Sequence, residues 1–306
     1  MDITIVLQQM LVLFSLMAVG FTLRKLKILT LGGNTLISHL ILDVSVPAAV
    51  IIGVAGGAGD HGNLYLLYVL ALCILIFAIV GVISAIAAKF TRIQPKEDWG
   101  ALVSVGMFGN IVFMGFPIII ALFGIGSLFY GVLLNLAFNL YSFSIGVKLI
   151  AGARAKMSLR QICNLPMTAS ILAIGLFMLN IPIPELISIP LTHLGNMLTP
   201  LGMILLGSIL AGMDVKEVFS GWRVYVGVFV KLLAAPVAVF LILSQFVTDP
   251  VMLSIFVILS AVPTAPRVVM FAVHYNGNVK LTGQGIFFST ILSVITIPLL
   301  IHLLGL

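Results

Sequence analysis

Ten apolar runs follow one another along the chain, near residues 3–23, 35–58, 64–88, 100–123, 128–151, 165–180, 187–211, 224–246, 251–274 and 282–304, with short connectors between them. A helix that crosses a bilayer needs about 20 apolar residues, and in lipid a helix satisfies its own backbone polar groups. Only 8% of the 306 residues are charged while 61% are hydrophobic, with mean hydropathy +1.29. A soluble domain carries about 25% charged residues. The chain is therefore expected to be an all-α integral membrane protein of about ten transmembrane helices in a lipid bilayer. Its length leaves nothing for a separate soluble domain.

The connectors alternate in charge. Those near 24–34, 89–99, 152–164, 212–223 and 275–281 hold Arg24, Lys25, Lys27, Lys89, Arg92, Lys96, Arg154, Lys156, Arg160, Lys216, Arg223 and Lys280. The other four hold no Lys or Arg and carry Asp60, Glu185 and Asp249. The positive-inside rule then places the basic connectors in the cytoplasm and both termini outside, in the cell membrane. It also accounts for the pI near 9.5 without a basic face for a phosphate backbone, so no nucleic-acid partner is expected. The first cations follow the first apolar run, the reverse of a cleaved leader, and that span is expected to be retained. Cys73 and Cys163 make neither a disulfide framework nor a metal site. No cofactor is expected.

Five spans per half put the two halves into the membrane from opposite sides. Residues 1–155 and 156–306 are thus expected to form two inverted five-helix repeats within one membrane domain. Pro47 in the second span is echoed by Pro200 in the seventh, and Pro117 in the fourth by Pro263 and Pro266 in the ninth. Proline removes a backbone donor and clashes with the preceding turn, so protein, water or a ligand must satisfy the freed carbonyl. Interrupted helices at matching positions of inverted halves point to a transporter's binding site. A kink for packing is the alternative at any one of them.

The fourth span contains Gly106, Gly109, Asn110, Gly115 and Pro117. Asn110 lies about ten residues into the membrane, roughly 15 Å deep. The glycines let backbone approach a ligand, and half-helix N-termini attract anions. An Asn110 that only joins helices by a hydrogen bond is the alternative.

Asn110-Ile111-Val112-Phe113-Met114-Gly115-Phe116-Pro117 resembles the Asn-Thr-Leu-Val-Met-Gly-Ile-Pro segment of the auxin efflux carrier family, which includes plant PIN-type carriers and bacterial permeases. Ala261-Val262-Pro263, Phe271-Ala272-Val273-His274-Tyr275-Asn276, Ile297-Pro298 and Leu303-Leu304-Gly305-Leu306 are similar to that family's last two helices. The resemblance implies broken fourth and ninth helices that cross at Pro117 and Pro263. Substrate would sit at the crossing, touched by Asn110 and by backbone near Pro263. A crossover domain would carry it past a scaffold domain. Where PIN-type carriers have an apolar residue four after the crossover proline, this chain has Arg267, with an additional Pro266, and this departure argues against an auxin-like aromatic substrate.

A guanidinium within a span costs about 2.5–3.5 kcal/mol on insertion scales, so Arg267 needs a partner. Its fork suits a carboxylate substrate; an ion pair with Asp43 and snorkelling to the inner face are the other two readings. Asp43 is a candidate proton site or structural partner. Lys231 and Lys148 are expected to snorkel, and His193, Asn196, Asn135 and Asn139 to pack. No nucleotide-binding loop supports a primary pump. Gly57-Ala58-Gly59-Asp60 spells part of an intramembrane aspartyl protease motif, but Asp43 lies about 25 Å from Asp60 along the helix, so no enzyme is expected. The function expected is a secondary carrier of a small organic anion such as a carboxylate. Elevator-type alternating access is its expected mechanism, with proton coupling or uniport rather than sodium. A non-transporting sensor or a channel is the alternative, and a homodimer is left open.

Overall fold

The computed structural model describes residues 3–56, 63–94, 98–152, 165–179, 181–212 and 221–306. Each of the ten apolar runs is helical, and no strand occurs among the described residues. Seven helices are long and apolar enough to cross a membrane: Leu7–Lys25, Leu31–Val54, Leu64–Phe90, Ile125–Ala151, Glu185–Ala211, Arg223–Leu243 and Val279–Leu304. The other runs give the shorter apolar helices Ile111–Phe123, Leu165–Met178 and Pro250–Ala261. The fourth and ninth runs are short because each is interrupted. The fourth divides into Asp98–Met107 and Phe116–Phe123, and the ninth into Pro250–Ala261 and Pro266–His274.

Four helices contain one π-helical turn each: Ile41–Ser45, Ile111–Gly115, Ser142–Gly146 and Val230–Ala234. Three of these end two residues before a proline, namely Pro47, Pro117 and Pro236. A proline ring clashes with the carbonyl four residues back and offers that carbonyl no donor. A widened turn moves the carbonyl aside, so the wide turns are the helix's local answer to its prolines. The Ser142–Gly146 turn has no such proline.

The chain divides into two compact units, each built from three separate stretches of sequence. The first comprises Met1–Leu70, Val112–Leu136 and Cys163–Met213; the second comprises Ala71–Ile111, Ala137–Ile162 and Asp214–Leu306. In the first unit, helix Ile3–Lys25 packs backbone to backbone on Leu198–Ala211. A Cβ at Gly20 would overlap the Ile204 carbonyl, and one at Gly207 would overlap that of Met17. Small residues permit this approach where lipid supplies no hydrophobic drive between helices. Ser208 Oγ donates to Asn34 Oδ1 at 2.7 Å in the same unit.

In the second unit, the half-helix Asp98–Met107 lies against Gly227 of the eighth span and Gly285 of the tenth. A Cβ at Gly227 would come within 2.9 Å of Leu102, and one at Gly285 within 2.6 Å of Val105. Asn278 caps the tenth helix by accepting from Leu281 N–H at 2.8 Å. Its Nδ2 donates to Asp98 Oδ2 at 2.7 Å, tying the starts of the two helices together.

Candidate functional site

A helix that stops inside a membrane leaves carbonyls at its C-terminal end without donors, and these must be satisfied within the protein. Asp98–Met107 gives way to non-helical backbone at 108–110, and Pro250–Ala261 gives way at 262–265. The two interruptions answer each other. Gly109 and Thr264 form an antiparallel bridge. Asn110 N–H donates to Pro263 O at 2.7 Å, and Ala265 N–H donates to Phe108 O at 2.9 Å. Pro263 has no N–H to give, but its carbonyl is free to accept.

Side chains complete the arrangement. Thr264, fully buried, donates from Oγ1 to Val105 O at 2.9 Å. Its N–H donates to Ser289 Oγ, also at 2.9 Å, and is therefore not spent on Ser260 O four residues back. Lys231 takes that carbonyl, with Nζ donating to Ser260 O at 2.8 Å. Glycine leaves room for these side chains at the bridge: a Cβ at Gly109 would lie 2.7 Å from Lys231 Nζ and 2.9 Å from Val262 Cγ2, and one of them would have to move. Asn110, next along, is buried.

Pro266 and Arg267 open the second half of the ninth span. Arg267 is half-buried. Its Nη1 donates to Asn139 Oδ1 at 2.6 Å and to Ser142 Oγ at 3.1 Å. The guanidinium lies over the rings of Phe138 and Phe143, 4.7 and 5.0 Å from their centroids. Ser142 opens one of the wide turns. Both acceptors are neutral, so they orient the guanidinium without cancelling its charge, and its other N–H groups suit an anion's oxygens.

Of the residues singled out in the sequence, Asn110, Pro263 and Arg267 belong to the second unit. Pro117 and Asp43 belong to the first. The paired residues of the fourth span are 108–110, with Pro117 in the first turn of the following helix. There the missing N–H costs little. Asp43 is exposed in the wide turn Ile41–Ser45, where His39 Nδ1 lies 3.0 Å from its Oδ2. Arg267 draws its hydrogen bonds from Asn139 and Ser142. Asn139, expected only to pack, is one of its positioning partners.

The expected snorkelling of Lys231 is corrected. The side chain is 2% exposed and turns inward to Ser260 O. The carbonyl freed by Thr264 and the space above Gly109 draw it there. Lys148 is exposed, as is His193. Asp60, Lys96, Arg154, Lys156, Arg160, Cys163 and Lys216 lie outside the described residues. Lys231, Thr264 and Ser289 are the participants that sequence reasoning missed. For Lys231 a signal existed: it is the eighth residue after Arg223, about 12 Å into an otherwise apolar run.

A family model described as "Membrane transport protein" matches residues 5–301. An uncharacterized transporter of Methanocaldococcus jannaschii is 28% identical over 213 residues, covering 66% of this chain and 68% of the relative.

Proposed function

We propose, from the premise that this chain belongs to the Membrane transport protein family, the auxin efflux carrier-like family, that it is a secondary carrier of a small organic anion such as a carboxylate. The observation that carries this reading is the pairing of two interrupted helices through Asn110 N–H to Pro263 O and Ala265 N–H to Phe108 O. Arg267 opens the half-helix that follows. Substrate would be held there by Asn110, by backbone around Pro263 and by the free edge of the Arg267 guanidinium, with Pro117 shaping the second half of the fourth span.

Ten crossings in two inverted repeats, 1–155 and 156–306, fit the seven long helices, the short sixth span and the two interrupted ones. The division into units supports an elevator-type mechanism. The first, second, sixth and seventh spans fall in one unit, and most of the third, eighth, ninth and tenth in the other. For the first three spans of each half this is one pattern repeated at a shift of five, whereas the fourth and fifth spans are divided between the units and the ninth and tenth are not. Basic connectors would face the cytoplasm and both termini the outside. Asp43, beside His39, would be the group to carry a coupled proton.

Purified protein screened by thermal shift against a panel of carboxylates identifies a ligand, and counterflow in proteoliposomes then tests the carrier. Labelled anion should exchange against a trans gradient of unlabelled anion. Flux without trans-stimulation would make the protein a channel, and a thermal shift without flux would make it a sensor.

A further inference from the structure

Lys231 stands apart from every other cation in the described residues. It is 2% exposed, in the middle of a span. Its one hydrogen bond to a described residue goes to a backbone carbonyl, Ser260 O, at 2.8 Å. An ammonium is the most costly group to bury without a counter-charge, yet no carboxylate lies in the spans around it. The acids among the described residues of this unit are Asp98, bonded to Asn278, and Asp249, which caps Val251 N–H; each begins a helix.

The negative counterpart is the backbone. Pro250–Ala261 ends at Lys231, with the Ser260 carbonyl in its last turn. Asp98–Met107 ends two residues before Gly109, whose Cβ position is 2.7 Å from Nζ. A helix C-terminus carries roughly half a negative charge, and here two such ends converge on one ammonium. In transporters with broken helices, unwound carbonyls and half-helix C-termini are the groups that coordinate a coupling cation. Ser84 lies beside Gly106, in the last turn of Asp98–Met107. Its hydroxyl is buried, without a hydrogen-bond partner among the described residues, and lies against the Cα of Gly106, where a Cβ would meet it at 2.7 Å.

We infer that the ammonium of Lys231 is a resident cation of the paired interruptions, filling the position where a cation-coupled carrier would bind its ion. Lys231 is then a positioning residue: it neutralises the two helix ends and holds the pairing in shape. No dissociable sodium ion is needed at this place, and the carrier works without one. This deepens the proposed function by assigning its coupling, and it can be tested without substrate.

The experiment is cation rescue of purified protein in detergent. Wild-type protein should melt at the same temperature in sodium chloride and in choline chloride. Lys231→Ala opens a space of the right size and sign, so it should melt lower, and methylammonium chloride should raise its Tm by about 3 °C or more over choline. Lys231→Met, which fills the space without charge, should melt lower and gain nothing from methylammonium. If Lys231→Ala cannot be extracted folded in choline, extraction in methylammonium should recover it. A sodium-dependent rise in the wild-type Tm overturns the inference. So does a Lys231→Ala protein indifferent to methylammonium, or one recovered in neither salt. Carrier activity does not enter these readings, so a failed counterflow assay and a failed rescue remain distinguishable.

Discussion

Replacing Arg267 separates anion binding from packing, because the structure assigns its guanidinium both kinds of contact. Arg267→Ala removes hydrogen bonds to Asn139 Oδ1 and Ser142 Oγ and the cover over Phe138 and Phe143. The abandoned acceptors are neutral, so the loss to the fold is that of unpaired polar groups, about 1–3 kcal/mol. The loss to substrate is of another kind. A hydrogen bond to a charged partner contributes about 1.5–3 kcal/mol, and each 1.4 kcal/mol is about tenfold in affinity. An anion held by one such contact should bind about 10- to 140-fold more weakly in Arg267→Ala. Arg267→Lys keeps the charge but loses the fork, and should recover only part of that affinity. Asn139→Ala keeps the guanidinium but loses its closest orienting contact, so its affinity should fall by less than in Arg267→Ala. The assay is titration of the carboxylate identified by thermal shift, with Tm of each apo variant measured alongside. Stable Arg267→Ala with unchanged affinity would refute the anion-holding role. A fall in Tm with unchanged affinity would leave Arg267 a packing residue.

Asn110→Ala keeps the backbone bond to Pro263 O, so it should leave the protein folded at a cost of about 1–3 kcal/mol while counterflow falls to background; normal exchange removes Asn110 from the site. Thr264→Val preserves shape but strands Val105 O, and should lower Tm by several degrees for the same range of cost, with Thr264→Ser restoring most of it; an unchanged Tm would show that the hydroxyl does not support the pairing. In a cysteine-free background, Thr248→Cys should react with an impermeant thiol reagent in intact cells and Lys96→Cys should not, and the reverse pattern would invert the topology. Thr248 is preferred to Asp249, whose carboxylate caps the following helix at 2.8 Å from Val251 N.

The helical spans were legible because burial of an uninterrupted backbone in lipid permits little else, and the observed helices follow the apolar runs to within a few residues. The interruptions were legible too, through Gly106, Gly109 and Pro263. Pro263 lies at the pairing itself, but the other two prolines do not mark it. Pro117 and Pro266 each fall in the first turn of a second half-helix, where a missing N–H is harmless. They therefore mark the restart of a helix rather than its end. Asp43 shows a different gap: its partner His39 is one turn away on the same helix and readable from i, i+4 spacing, whereas opposite charge alone points to the distant Arg267. Lys231 could not be resolved locally. Whether it snorkels or turns inward depends on Ser260 O, which is available because Thr264 N–H bonds Ser289 of another span.

The same non-local logic bears on coupling. Among the described residues of the second unit, Lys231 is buried and Arg267 half-buried within spans, and the acids lie only at helix starts. One cation is answered by helix ends and the other by neutral oxygens and aromatic faces, so only Arg267 has a charge left for a ligand to neutralise. In the proposed mechanism this makes an anion a better occupant than a neutral solute. It also makes a sodium ion a poor one, since it would add positive charge beside Lys231. An anion moving without a cation crosses the membrane as net charge, worth about 2.3 kcal/mol per 100 mV. With the inside negative that favours export, and in the proposed mechanism uptake would require a co-transported proton, for which Asp43, with His39 Nδ1 3.0 Å from its Oδ2, would be the carrier.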